Sequence, residues 1–171
     1  MENPPPNSAT SEIAILAAGC FWGVEKIIRE QSGVLNTQVG YTGGALENPK
    51  YIHVKTGTTD HAEAIQIEFD PARLSYQSLL KLFFRLHDPT QLNRQGNVIG
   101  TQYRSAIFYR SEAQRETATM VKATVEASGQ WKNPIQTQIV PAQKFWDAEE
   151  EHQDYLLKNP GGYNCHWVRP E

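Results

Sequence analysis

A cysteine follows a short apolar segment at the point where a helical pattern begins. Residues 13–18 are continuously apolar and lead to Gly19, and Cys20 comes next. A thiol at the start of a helix faces the positive end of the helix dipole and unpaired backbone N–H groups. This position is expected to lower the pKa of the Cys20 thiol from about 8.5 toward neutrality and to make it nucleophilic. The alternative is a buried cysteine that packs as a small apolar side chain.

Two aromatic residues, Phe21 and Trp22, come directly after this cysteine. Beside a nucleophile they could form the wall of an apolar pocket for a small alkyl group. Phe21 shares a helical stripe with Val24 and Ile28, which also favours a place in the core. Trp22 lies about 100° from Phe21 around a helix and fits that stripe less well.

A carboxylate lies on the apolar face of an alternating segment. Glu63 has the same parity as Ile65, Ile67 and Phe69, and this period of two predicts a half-buried strand. Burial among these side chains would raise the pKa of the Glu63 carboxyl, and a neutral carboxyl can donate a hydrogen bond or a proton. The alternative is a solvated strand end or a pair with an arginine, and His61 on the same parity keeps that alternative open.

The second cysteine, Cys165, lies in a glycine-rich terminal segment. A mobile tail could bring its Cα within the roughly 6 Å of a partner cysteine that a disulfide requires. A reactive cysteine and a second thiol on a flexible segment are typical of a site that forms a sulfenic acid and then a disulfide. An incidental surface cysteine is the alternative.

His152 and Tyr155 are three residues apart in the predicted last helix, on one face with Ala148. The acidic run 149–151 is interpreted as a solvated face in the first turn of that helix. Two cysteines exclude a cysteine-based zinc cluster, and no pair of histidines has zinc-ligand spacing. We therefore expect no metal and no cofactor.

These residues must be positioned by a mixed arrangement of strands and helices. Periodicity and cap signals predict strands at 13–18, 35–40, 62–69, 102–110 and 135–140 and helices at 20–31, 75–87, 111–128 and 148–157. Such intermixing indicates an α/β fold, a two-layer α+β sandwich with helices packed on a mixed sheet. We expect a disordered tail at 1–10, one catalytic domain at 11–158 and a flexible C-terminal segment at 159–171.

Charge and hydropathy exclude several functions. The formal charge is −3 and no basic block occurs, which disfavours nucleic-acid binding. The longest apolar run, residues 13–18, is too short to cross a bilayer, and a basic leader followed by an apolar stretch is missing from the N-terminus. We expect a cytoplasmic monomer that binds neither nucleic acid nor membrane.

Short motifs occur in one order along nearly the whole folded chain. They are GCFWGVE at 19–25, GYTGG at 40–44, HAEA at 61–64, HDPT at 87–90, NRQG at 93–96, GTQYRS at 100–105, AE at 148–149, HQ at 152–153 and YL at 155–156. In this ordered set the chain resembles the A-type peptide methionine sulfoxide reductase family. The resemblance implies a ferredoxin-like core and an enzyme that reduces methionine sulfoxide, free and in proteins.

The resemblance also implies roles for individual residues. Cys20 matches the nucleophile, Glu63 the acid, and Cys165 the resolving cysteine. The residues that match the substrate pocket are Phe21 and Trp22 for the methyl group, Tyr51 and Tyr103 for the sulfoxide oxygen, and His152 and Tyr155 along the wall.

A reaction follows from these roles. Cys20 attacks the sulfoxide sulfur while Glu63 protonates the departing oxygen, so methionine leaves and a sulfenic acid remains. Condensation with Cys165 gives a disulfide that an external dithiol, by resemblance thioredoxin, reduces. The family acts on the S epimer.

The chain departs from the family pattern in two places. Many relatives have an aspartate where this chain has Val98, so a hydrogen bond to the substrate backbone is lost there unless Asn97 replaces it. The tail has one cysteine where some relatives have two. Two other functions remain open: a peroxide reductase, which also passes through a sulfenic acid, and a non-catalytic module that binds methionine-rich or oxidised segments.

Overall fold

The computed structural model describes residues 11–171, and the tail predicted at 1–10 lies outside them. The strands are β1 (Glu12–Ala18), β2 (Val34–Thr42), β3 (Ala62–Phe69), β4 (Arg94–Gln95), β5 (Val98–Ile99), β6 (Ser105–Tyr109), β7 (Gln138–Pro141) and β8 (Trp146–Asp147). The helices are α1 (Phe21–Arg29), α2 (Tyr51–Val54), α3 (Tyr76–Leu86), α4 (Glu112–Ala127) and α5 (Tyr155–Lys158), with 3₁₀ turns at Thr101–Tyr103 and Glu150–His152.

Six strands form one mixed sheet in the order β7-β6-β1-β3-β2-β8. Strand β1 is antiparallel to β3 and β6, β2 is antiparallel to β3, and β7 runs parallel to β6. The four central strands and the helices α1 and α3 thus have the β-α-β-β-α-β connectivity of a ferredoxin-like core. The predicted fold class is confirmed. Strands β4 and β5 form a separate hairpin.

The main core lies between the sheet and the helices. Apolar side chains of α1, α3 and α4 pack against the face of β3 that carries Ile65, Ile67 and Phe69. The other face carries smaller residues, among them Ala17, Ala64 and Ala106, and the chain after β7 packs on it. Glu63 therefore belongs to the helix-covered face, where water is excluded.

The cap signals of two predicted helices are confirmed. Ser75 Oγ accepts a hydrogen bond from the backbone N–H of Ser78 at 3.0 Å, and Ser111 Oγ accepts one from Gln114 at 3.1 Å. The side chain of Gln114 does not complete a capping box, because its Oε1 accepts from the N–H of Arg110 instead. None of the helices among residues 11–171 is long and apolar enough to cross a membrane.

The predicted helix at 148–157 is wrong. The chain forms a 3₁₀ turn at Glu150–His152, continues in extended conformation, and starts α5 only after Asp154. Asp154 has a positive φ of 53°, which no α-helix allows. Its N–H donates to Glu25 at 2.7 Å and its carboxylate accepts from Arg29 at 3.1 Å, so contacts with α1 stabilise the break.

Candidate active site

Cys20 occupies the cap position of α1, two residues after the end of β1 and directly after Gly19. Gly19 has a φ of 93°, a conformation that favours glycine, and this turn aims the thiol at the start of the helix. The residue is buried, with 8% of its surface exposed. Burial, and next the charge of Glu63, raise its pKa, while the backbone N–H groups of Trp22 and Gly23 lower it by less. The prediction of a lowered pKa is wrong because desolvation outweighs the helix terminus.

Glu63 lies where its parity predicts, opposite Tyr41 in the pairing of β2 and β3 and under the start of α1. Only 1% of the residue is exposed. Its Oε1 accepts a hydrogen bond from the backbone N–H of Phe21 at 3.2 Å. Burial raises the pKa of the carboxyl to about 8, and the bond from Phe21 opposes this shift only in part. The prediction of a desolvated carboxyl with a raised pKa is confirmed.

Two tyrosines lie near enough to this carboxyl for its charge to raise the pKa of their hydroxyls. Tyr51 is carried by α2, a short helix between β2 and β3, in a stretch where periodicity predicts neither a strand nor a helix. Tyr103 comes from the 3₁₀ turn before β6. Burial raises the pKa of both hydroxyls, and the charges of Glu63 and Cys20 raise each further. Both hydroxyls therefore stay protonated at neutral pH and can donate hydrogen bonds.

The half-buried Trp22 is the centre of an aromatic wall. Its ring stacks on Tyr155 with centroids 3.8 Å apart and lies 6.5 Å from the ring of Tyr51. Its indole N–H donates to Nδ1 of His152 at 3.1 Å. Burial lowers the pKa of His152, so its neutral ring accepts this bond. The broken last helix thus still brings His152 and Tyr155 to one wall.

Phe21 lies deeper than this wall. It is 1% exposed, and its ring is in the core between Tyr41 and His152, at centroid distances of 5.8 and 5.7 Å. The ring of Phe21 therefore lies in the core, as the helical stripe it shares with Val24 and Ile28 favours. Its backbone N–H is the group that reaches Glu63.

Glu149 is a site residue that the sequence interpretation missed. The acidic run 149–151 predicts a solvated face, and residues 150 and 151 are exposed as this predicts. Glu149, however, accepts hydrogen bonds from the hydroxyl of Tyr41 at 3.0 Å and from the backbone N–H of Tyr51 at 3.1 Å. It thereby ties α2 to the sheet. The AE pair at 148–149, one of the ordered motifs, is the sequence feature that could have identified Glu149 as a site residue.

A possible cation cluster lies beside the wall, where ligand atoms of Glu149, Glu151 and His152 are within 4.8 Å of one another. Glu149 already accepts two hydrogen bonds, and Nδ1 of His152 accepts the indole N–H. The cluster has only one strongly exposed member, Glu151. The absence of a resident metal stays a prediction.

Both cysteines are free thiols, and Cys165 is near enough to Cys20 to influence it electrostatically. The charge of Cys165 is among the causes that raise the pKa of Cys20. A Cβ at Gly96, in the β4–β5 turn, would lie 4.0 Å from Sγ of Cys165, so this turn passes close to the second thiol. The exposed Asn97 is in the same turn.

The segment that carries Cys165 is tied to helix α3 near its end. Farther along the chain, the N–H of Arg169 donates to the carbonyl of Arg85 at 3.0 Å. The guanidinium of Arg85 donates in return to the carbonyl of Arg169 at 2.8 Å. The predicted flexibility of 159–171 stays a prediction.

Comparison with known proteins gives one consistent result. The peptide methionine sulfoxide reductase family profile matches residues 12–171. The peptide methionine sulfoxide reductase MsrA of Nocardia farcinica is 53% identical over 158 residues, which are 92% of this chain and 91% of the relative. The reduced form of Mxr1 from Saccharomyces cerevisiae superposes with a TM-score of 0.91 at 38% identity, covering 97% of this chain and 96% of Mxr1.

A second yeast structure, Mxr1 in complex with Trx2, matches with a TM-score of 0.66 at 26% identity over 99% of this chain and 97% of that one. The family match, the curated relative and the solved structures each cover more than nine-tenths of the described fold. The chain therefore belongs to the peptide methionine sulfoxide reductase family.

Proposed function

We propose that this chain reduces the S epimer of methionine sulfoxide, free and in proteins, to methionine. The observation that carries the proposal is a neutral carboxyl beside a nucleophile. Glu63 is 1% exposed, has a pKa of about 8, and interacts electrostatically with the buried thiol of Cys20. A carboxyl that keeps its proton at neutral pH can give it to an oxygen that leaves sulfur.

The substrate would place its methyl group against Trp22 and its oxygen toward Glu63, Tyr51 and Tyr103. Hydrogen bonds from a carboxyl and two hydroxyls draw electrons from the sulfoxide sulfur and make it electrophilic. The raised pKa of Cys20 keeps the thiol protonated in the resting enzyme, and the neutral Glu63 carboxyl adds no charge to oppose the thiolate as it begins to form.

In the first step the Cys20 sulfur attacks the sulfoxide sulfur. Glu63 gives its proton to the oxygen and regains the thiol proton, the oxygen passes to Cys20, and methionine leaves. The products are methionine and a Cys20 sulfenic acid, so Cys20 is oxidised as the sulfoxide is reduced.

In the second step the Cys165 thiol condenses with the sulfenic acid, forming a disulfide and water. Thioredoxin would then reduce the disulfide to two thiols. The proximity of Cys165 to Cys20 supports the second step, and the likeness to Mxr1 solved with Trx2 supports the third. This cycle needs no cofactor and fits a monomer in a reducing compartment such as the cytoplasm.

The test is turnover of the separated R and S epimers of a blocked methionine sulfoxide, driven first by dithiothreitol and then by thioredoxin. We expect turnover of the S epimer alone. Cys20→Ser should abolish it because no other nucleophile takes part, and turnover above a few per cent of wild type would contradict the mechanism. Binding without turnover in the wild type would favour a non-catalytic module.

Cys165→Ser separates the two redox steps. Without reductant this variant should release about one methionine per enzyme and should lose thioredoxin-driven turnover, because its sulfenic acid has no internal partner. Steady turnover with thioredoxin would show that Cys165 is incidental. Hydrogen peroxide, added in competition with the sulfoxide, should be the poorer substrate, and the reverse result would identify a peroxide reductase.

A further inference from the structure

The residue after Cys165 is a histidine whose ring contacts both the second thiol and the strand that leads to the first. Nε2 of His166 lies 2.6 Å from the carbonyl oxygen of Ala18, the last residue of β1. Nδ1 of the same ring lies 3.7 Å from Sγ of Cys165. A carbonyl can only accept, so Nε2 carries the ring proton and donates it. In the neutral ring, Nδ1 is then an unprotonated nitrogen that faces the thiol.

The ring is enclosed by the nucleophile's own elements. A Cβ at Gly23 in α1 would lie 2.6 Å from Nδ1 of His166, and one at Gly19 would lie 3.5 Å from Nε2. A side chain larger than glycine at Gly23 would displace the ring, whereas the approach at Gly19 is an ordinary van der Waals contact. The ring therefore packs between the end of β1 and the first turn of α1, the two elements that flank Cys20 in the sequence.

The charge state of the ring agrees with this geometry. His166 is 6% exposed, and burial lowers its pKa to about 4, with the bond to Ala18 opposing and Arg169 adding to the shift. The titratable groups that face the ring are Arg169, His87 and the Cys165 thiol. The ring is thus neutral around pH 7, and its unprotonated Nδ1 faces the thiol as an acceptor.

We propose that His166 is the base that accepts the thiol proton of Cys165 when this residue closes the disulfide with Cys20. The inference rests on the disulfide cycle of the proposed function. As the proton moves from sulfur to Nδ1, the Cys165 thiolate attacks the sulfenic sulfur of Cys20. The S–S bond forms, the S–O bond breaks, and the departing hydroxide takes the proton from His166 to become water. The Cys165 sulfur is oxidised and the sulfenic sulfur is reduced, so no other reductant is required.

The informative variant is His166→Gln. The glutamine amide can still donate to the Ala18 carbonyl and hold the segment, but it cannot accept a proton at neutral pH. Val168→Ala is the control, because Val168 lies two residues farther along the segment and is 39% exposed. Each enzyme is mixed with one equivalent of methionine S-sulfoxide without reductant and quenched in acid at successive times between pH 6 and 9. Methionine, sulfenic acid and disulfide are then counted by mass spectrometry.

In His166→Gln we expect disulfide formation to slow by roughly 10²-fold relative to methionine release, so that the sulfenic acid accumulates. Closure in this variant should depend more steeply on pH than closure in the wild type and in Val168→Ala, because without a base the thiol must lose its proton to hydroxide. A variant within about threefold of wild type at every pH would overturn the base role. Slower closure with the wild-type pH dependence would also overturn it, because positioning alone explains that result.

The same experiment tests its premise. Methionine release by wild type without any Cys20–Cys165 disulfide would overturn both the cycle and this inference. Disulfide formation by wild type, together with an unaffected glutamine variant, would leave the cycle intact and overturn the inference alone.

Discussion

Replacing Glu63 by glutamine keeps the shape of the side chain and removes its ability to give up a proton. The pKa of the carboxyl is about 8 in the folded protein, against an ordinary value of 4.5. At pH 7 about nine carboxyls in ten are therefore protonated, where an unperturbed glutamate would be protonated in only about one molecule in three hundred. Burial alone thus supplies the acid form that the reaction needs.

The rate of methionine release should fall by roughly 10²- to 10⁴-fold in Glu63→Gln, the usual contribution of a positioned acid. Single-turnover release, measured from pH 6 to 9.5 with excess enzyme, isolates this step. The wild-type rate should fall as pH rises through about 8, where Glu63 loses its proton, and the variant should lack that limb. Glu63→Ala should lose more, since it also removes the hydrogen-bond donor.

Although Glu63→Gln should lower the rate, it should raise the free energy of unfolding at pH 8. Folded Glu63 holds its proton more tightly than the unfolded chain does, so its contribution is complete below pH 4.5 and is lost as pH rises toward 8. Linkage gives a slope of about 1.4 kcal/mol per pH unit, or roughly 4 to 5 kcal/mol across that window. Glu63→Gln has no such proton to lose, so its free energy of unfolding at pH 8 should exceed that of wild type.

Denaturant unfolding at several pH values measures this difference. Glu68→Gln, on the opposite face of β3, is the matched control and should keep both wild-type pH profiles. Equal rates for Glu63→Gln and wild type at all pH values would refute the acid role. A wild-type unfolding free energy with the same pH dependence as the variant would refute the raised pKa itself.

Three other changes test the site and its frame. Tyr103→Phe should lower kcat for methionine sulfoxide by about 10²-fold with little change in KM, as expected when one donor to a developing charge is removed. Gly23→Ala would place a Cβ against Oδ1 of Asn164, so steady-state assays should show a larger loss with thioredoxin than with dithiothreitol. Gln153→Ala removes three buried hydrogen bonds, two of them to Val39, and denaturant unfolding should show a loss of about 2–4 kcal/mol.

Local patterns predicted those parts of the molecule that depend on neighbouring residues. The alternation in β3 placed Glu63 on the buried face, and the serines at 75 and 111 marked two helix starts. These signals work because side-chain parity and caps are properties of a few consecutive residues.

The predictions that failed depend on contacts distant in sequence. The pKa of Cys20 is decided by burial and by Glu63, which comes from another strand, and not by its place on α1. Likewise, the last helix breaks because Glu25, far earlier in the chain, accepts the N–H of Asp154. Glu149 reads as one of three solvated acids until the fold brings Tyr41 and Tyr51 to it. No periodicity in one sequence reports such partners.

The side-chain amide of Gln153 affects how the edge of the sheet can pair with strands of other chains. It donates to the carbonyl of Val39 and accepts from its N–H, as a neighbouring strand would, and the short β8 pairs with the next two residues of β2. At the opposite border, β7 is only four residues long and ends in Pro141, which has no N–H to offer. An edge strand with unpaired backbone N–H and C=O groups is a template for pairing with another chain and for aggregation. Partly unfolded proteins expose strands that pair with such edges, so a short, proline-ended β7 and the amide of Gln153 limit edge-to-edge pairing of this sheet with them.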